Sequence, residues 1–251
     1  MAELGWMDYL LPSRGVLYGG KLPDGKLPLH PMTAKQQALL QTQGGGVAGK
    51  VDALIETCCK LPEGLARGEL LLTDRLAILL SLRTKTFGPK YRFEWRCKHC
   101  NAFNVANIDI VKDLDEQAAP PDLKEPLEVT LPQADCIVEM RFLRGSDEET
   151  LMRNAKRMKM TSNDSDDDSY LMRVAMQLVR KDGEPFTDIL AKRRFIEGLP
   201  AADLVALEDE VNEREPGIDL RLYLDCPKCT GPNRMVMPFT AEFFRPGSNR
   251  G

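Results

Sequence analysis

Two short cysteine pairs hold the residues best suited to chemistry: Cys97-Lys98-His99-Cys100 and Cys226-Pro227-Lys228-Cys229. Each is a C-x2-C, and together they offer four thiolates, the ligand set of a closed tetrahedral zinc site. A strand-like run precedes each one, Tyr91-Arg92-Phe93-Glu94-Trp95 before the first and Leu220-Arg221-Leu222-Tyr223-Leu224 before the second. A strand feeding a knuckle turn is the pattern of a zinc ribbon, whose knuckles usually stand about 15–20 residues apart. Here more than a hundred residues separate them, so a block of chain is inserted between the two halves of the site. The expected cofactor is one structural Zn2+ on Cys97, Cys100, Cys226 and Cys229; four protein ligands leave no open position for substrate. The plain alternative is two unrelated turns with free thiols. His99 lies inside the first knuckle and competes as a ligand, but Cys100 has the better spacing.

Other motifs fail on inspection. Gly44-Gly45-Gly46-Val47-Ala48-Gly49-Lys50 satisfies G-x4-G-K, but Val51 follows where a hydroxyl should hold Mg2+, and no strand precedes it. It is expected to be a flexible joint between helices. Asp164, Asp166 and Asp168 alternate as in a calcium loop, but Ser169 replaces the turn glycine and Ala175 the twelfth-position glutamate. Cys58, Cys59 and Cys136 sit in apolar runs and read as core. With His30 and His99 as the only histidines, a Ser or Cys nucleophile lacks its commonest base. No catalytic residue is assigned, and the chain is expected not to be an enzyme. Lys85, Lys90, Arg92, Arg96 and Lys98 interleave with Phe87, Tyr91, Phe93 and Trp95, a composition able to stack and neutralise single-stranded nucleic acid. The plainer reading is a strand with one buried and one solvated face.

Totals narrow the class. The chain has 251 residues, 43% hydrophobic and 29% charged, with a formal net charge of −4. Four thiolates on a dication make the folded protein more acidic still, which argues against a general nucleic-acid binder. No apolar run approaches the ~20 residues of a membrane helix, and no signal-type segment opens the chain, so no membrane partner and a cytoplasmic site of synthesis are expected. Seven cysteines, four of them in metal-type pairs, fit a reducing compartment.

The elements that must position these residues read as α+β: a mostly helical domain with a split four-cysteine zinc-ribbon-like β part and an extended N-terminal arm. The arm is residues 1–31 and the body 32–251. Within the body the ribbon (about 90–110 and 219–240) encloses a strand-plus-helix insertion (about 111–218). In the arm, Pro12 fixes one φ, Gly15 permits a left-handed turn, and prolines restrict Lys26–His30 to an edge or an isolated strand. Such a segment cannot bury itself alone and is expected to lie along its own domain or along a neighbour. Helices are predicted with capping boxes at Thr33–Gln36 and Ser146–Glu149, with caps at Thr73-Asp74 and Thr187, and with an apolar stripe at Leu171, Val174, Ala175, Leu178 and Val179. Leu127–Leu131 and Cys136–Leu143 read as a hairpin, Phe103–Asp109 as a returning strand, and Arg245–Ser248 as a frayed tail.

Leu11-Pro12-Ser13-Arg14-Gly15-Val16-Leu17-Tyr18, followed by the extended Leu27-Pro28-Leu29-His30-Pro31-Met32-Thr33-Ala34, resembles the opening of the baseplate hub proteins of T-even-type contractile-tailed phages. There, too, cysteine knuckles flank a β-plus-helical middle. The resemblance implies a structural subunit of the tail baseplate without enzymatic activity. Its partners would be other baseplate and tail proteins in a symmetric, multi-copy assembly, its location the virion, and its place of assembly the host cytoplasm. It makes the arm, with Leu11, Pro12, Ser13, Arg14, Gly15, Leu17 and Tyr18, the expected partner contact. Two alternatives stay open: an assembly factor absent from the mature virion, and a zinc-ribbon nucleic-acid-binding module.

Overall fold

Residues 11–25 turn back on themselves because two glycines cross. Gly15 and Gly25 hold φ of +78° and +62°. A Cβ on Gly15 would lie 1.9 Å from the Leu22 carbonyl oxygen, and one on Gly25 would lie 2.5 Å from the Arg14 carbonyl carbon. Only glycine permits this approach. The doubled-back loop brings Met7–Leu10 (β1) against Lys26–Leu29 (β2) as an antiparallel pair, Met7 opposite Leu29 and Leu10 opposite Lys26. In the computed structural model, which describes residues 5–41, 46–159, 165–239 and 241–244, this segment is no free arm. Leu11, Tyr18, Leu22, Leu27 and Leu29 are buried in the principal core. Of the two places expected for it, its own domain and a neighbour, this segment takes the first. Pro28 does restrict β2, but its carbonyl accepts from Lys60 N at 2.9 Å and His30 N donates to Cys58 O at 3.0 Å, so the body supplies the second edge.

Helices follow. Ala34–Gln41 (α1) carries the predicted cap: Thr33 N donates to Gln36 Oε1 at 2.9 Å and Lys35 N to Thr33 Oγ1 at 3.3 Å. Gly46–Cys58 (α2) begins within the glycine-rich run, so Lys50 lies on a helix and donates to the Leu40 carbonyl. The flexible joint expected over Gly44–Lys50 is corrected from Gly46 onward, where the chain is already helical, and Gly44 and Gly45 lie outside the described residues. Leu72–Phe87 (α3) is preceded by Leu71 rather than capped by Thr73-Asp74, and ends at Gly88 with φ +83°.

The first ribbon hairpin is Lys90–Arg96 (β3) with Phe103–Asp109 (β4), Lys90 opposite Asp109. Glu116–Gln117 (β5) opens the insertion. The hairpin expected over Leu127–Leu131 and Cys136–Leu143 forms as Leu127–Leu131 (β6) and Cys136–Met140 (β7), the second strand ending before Arg141. Gly145–Lys159 (α4) and Ser165–Gln177 (α5) follow. The Asp147 carboxylate accepts from Arg144 N at 2.8 Å, beside the capping box expected at Ser146–Glu149. Asp166 and Asp168 fall within α5, not in a loop, and residues 160–164 lie outside the description. The stripe ending at Leu178 and Val179 is corrected: the chain switches there to Leu178–Lys181 (β8), which pairs with β7 and turns at Asp182-Gly183 into Glu184–Pro185 (β9). Left-handed φ values of +49° and +80° make that turn. Short runs of apolar residues suit either period, and pairing decides between them.

Ile189–Glu197 (α6) is capped by Asp188, whose side chain accepts from Ala191 N at 2.8 Å, instead of by Thr187. Ala201–Arg214 (α7) is tied to the β6–β7 turn by the buried Asp203, which accepts from Gln133 N and Ala134 N. Gly217–Ile218 (β10) pairs with β5, closing the insertion at its base. Arg221–Asp225 (β11) and Pro232–Val236 (β12) form the second ribbon hairpin. Two cores result. The larger joins the N-terminal segment, α2, α3, the four-stranded sheet β6-β7-β8-β9 and α5 to α7. The smaller lies between the ribbon hairpins and is closed by Leu80 and Phe243. Cys58, Cys59 and Cys136 are buried as the sequence suggested. The tail at 245–248 is outside the described residues.

Candidate metal centre

Strand alternation places the ribbon side chains. Tyr91, Phe93 and Trp95 point into the smaller core, whereas Lys90, Arg92, Glu94 and Arg96 face outward. The aromatic and basic residues that interleave in sequence thus part to opposite faces. On the outward face the exposed ring is Phe103 of the returning strand, with the Arg96 guanidinium 5.8 Å from its centroid.

The two knuckles share one backbone plan. Cys97 N donates to Ala102 O at 2.9 Å and Asn101 N to Cys97 O at 2.9 Å; Cys226 N donates to Gly231 O at 3.0 Å and Thr230 N to Cys226 O at 2.8 Å. Asn101 and Thr230 take matching left-handed φ values of +58° and +56°. The turns face each other and bring the four sulfurs together. Cys97 Sγ lies 3.7 Å from Cys229 Sγ, and Cys100 Sγ lies 3.7 Å from Cys226 Sγ. All four sulfurs fall within 4.8 Å of one another.

These distances fit a metal and exclude a disulfide, which needs sulfurs about 2.05 Å apart. A tetrahedron with ~2.3 Å zinc–sulfur bonds has edges of about 3.8 Å. The donor set is thus suited to a soft or borderline cation held on four sides. Burial pushes the thiols of Cys97 and Cys226 up, but backbone amides in their own turns outweigh it and hold both below the ordinary thiol value. His99 is not a ligand: its Nε2 lies 2.8 Å from the Pro232 carbonyl. The same ring explains Gly231, where a Cβ would meet His99 Cδ2 at 2.7 Å.

The predicted arm residues come together elsewhere. Ser13 N and the Tyr18 hydroxyl donate to the two oxygens of Asp74, at 3.1 and 2.5 Å, and Tyr18 Oη accepts from Leu71 N at 3.0 Å. Burial pushes the Asp74 carboxyl up, against these donors. Leu11, Pro12, Ser13, Gly15 and Tyr18 are buried; Leu17 is half-buried; Arg14 pairs with Glu116 at 2.7 Å. Most of the expected contact surface is therefore internal. The sequence reading missed Asp74, for which no local signal exists, because it reads as a helix cap. It also missed Asn104 and Asn233, although C-x2-C-x3-N recurs in both knuckles, at 97–104 and 226–233.

Fold and site together define a mixed helix-and-strand protein whose central insertion is bracketed by a cluster of four cysteines able to hold a metal ion. Among the described residues no helix is long and apolar enough to cross a membrane. The sequence profile of the T4 bacteriophage base plate protein family matches residues 17–245, and the chain belongs to that family. It is thus a phage baseplate protein, a structural component of the virion tail. No curated protein and no solved structure matches it.

Proposed function

We propose that the chain is a non-enzymatic subunit of the hub or inner baseplate of a contractile tail. It is assembled in the host cytoplasm, in several copies within a symmetric particle, and carries one structural Zn2+ on Cys97, Cys100, Cys226 and Cys229. The observation that carries this reading is the family match across residues 17–245. The closed cysteine set supports a structural metal, since four protein ligands would leave no position for substrate or water.

Within the N-terminal segment the proposed assembly contact is the outer edge of β1. Leu11, Ser13 and Tyr18 hold the fold, whereas Trp6, Met7 and Leu10 are exposed on and beside β1. Among the described residues β1 pairs with β2 alone, leaving an open edge to which a neighbouring subunit can add a strand. The combined change Met7→Asp and Leu10→Asp should leave a folded monomer that is lost from purified particles. Normal incorporation would overturn the edge assignment. Mass spectrometry of wild-type virions separates a resident subunit from an assembly factor, which would be absent.

A further inference from the structure

Asn104 and Asn233 stand at equivalent places, four residues beyond the second cysteine of each knuckle. Both are buried, with 9% and 4% of their surface exposed. A buried carboxamide left without partners costs roughly 1–3 kcal/mol, so the destination of its hydrogens is informative. Each Nδ2 returns to its own turn, Asn104 to Ala102 O at 3.0 Å and Asn233 to Gly231 O at 2.8 Å. Each then reaches the first cysteine of the opposite hairpin: Asn104 Nδ2 lies 3.8 Å from Cys226 Sγ, and Asn233 Nδ2 lies 3.5 Å from Cys97 Sγ. A carboxamide nitrogen carries two hydrogens, so the carbonyl and the sulfur are served at once. Asn233 Oδ1 also accepts from Lys98 N at 2.8 Å.

We propose that Asn104 and Asn233 are a reciprocal pair of positioning residues for the bound metal, each presenting an N–H to the buried thiolate of the other hairpin. The proposal rests on the metal reading of the four cysteines. A neutral thiol is a weak acceptor, whereas a thiolate makes a charge-assisted bond of roughly twice the strength. Four thiolates on a dication leave a net negative centre, and its two inner sulfurs are buried. The contacts within one hairpin, such as His99 N to Cys97 Sγ at 3.3 Å, ease that charge but cannot orient one hairpin on the other. The asparagines do both. They bind the two halves of a site whose cysteines lie far apart in sequence.

The test uses the full chain loaded with Zn2+ or Co2+. Asn104→Asp and Asn233→Asp keep the shape, and Asn233→Asp keeps an acceptor for Lys98 N, but each sets a negative oxygen where an N–H faced sulfur. Zinc release to a chelator should be about 10- to 100-fold faster in each, and the sulfur-to-cobalt charge-transfer band should shift. Asn104→Ala and Asn233→Ala lose the donor without adding charge and should move both readouts less, in the same direction; they serve if the aspartates do not fold. Unchanged release and an unchanged band, even with a lower melting temperature, would reduce the asparagines to packing and overturn the proposal. A wild-type chain without a tetrathiolate cobalt spectrum would overturn the metal reading and this proposal together.

Discussion

The ribbon and the N-terminal segment are both built around short motifs, yet they recruit their partners in opposite ways. In the ribbon the motif residues seek one another: four sulfurs converge, and the two buried ones are met by asparagines from the facing turn. In the N-terminal segment the motif residues seek something foreign to the motif, the Asp74 carboxylate on α3. A thiolate pair states its need for a metal in its own spacing. A serine and a tyrosine state only that they need an acceptor. Motifs that carry their own partners are legible; motifs that borrow them are not.

The sharpest way to break this comparison is to remove residues 1–31. A free arm would leave a folded body behind. Here the deletion strips Leu11, Tyr18, Leu22, Leu27 and Leu29 from the core. At roughly 1.5–3 kcal/mol for each large buried side chain, the loss rivals the whole 5–15 kcal/mol of a typical domain. The truncated chain should be unfolded or insoluble by circular dichroism. A cooperative melt would restore the arm.

Next comes the metal. Cys97→Ser or Cys229→Ser should each lower zinc from one ion per chain toward none and destabilise the ribbon by several kcal/mol, since metal binding is folding free energy in such sites. Metal analysis with thermal melting checks it. Full stability after loss of either ligand would mean two independent turns.

Tyr18→Phe sharpens the other side. It removes one donor from the buried Asp74 and leaves Leu71 N unpartnered, an expected loss of about 2–3 kcal/mol by chemical denaturation. Metal content should not change, because the anchor and the cysteines lie in different cores.

The smallest effect lies at the seam, where α7 hands the chain back to the ribbon. Burial pushes the Glu215 carboxyl up to about 7, with Arg173 opposing and Glu125 reinforcing. A carboxyl raised in the folded state binds its proton more readily there than in the unfolded chain. Its contribution to stability is therefore complete below the unfolded value and is lost as pH rises through about 7. Stability of the wild type should fall by about 2 kcal/mol between pH 5 and pH 8 from this group, and Glu215→Gln should flatten that slope.

How much was legible follows the same division. The alternation of Tyr91, Phe93 and Trp95 with charged residues marked β3 and its buried face. The Phe103–Asp109 strand and the hairpin were readable from the same period, although the second strand, expected over Cys136–Leu143, ends at Met140. Leu178 and Val179 were misplaced because an apolar stripe cannot announce that β7 lies beside it. Asp188 took the cap expected of Thr187, a shift of one residue that local chemistry leaves open.

By itself the sequence marked the four cysteines that the fold brings together, since C-x2-C is a local geometry. It also determined the α+β class, because hydrophobic period is local too. Only the tertiary structure decided where the N-terminal segment goes. Its prolines and glycines set a shape, and whether that shape is solvated or buried depends on surfaces contributed by distant parts of the chain. The crossed asparagines belong to the same category. Their offset from the cysteines repeats in the chain, but that each serves the other hairpin exists only once the two turns face each other.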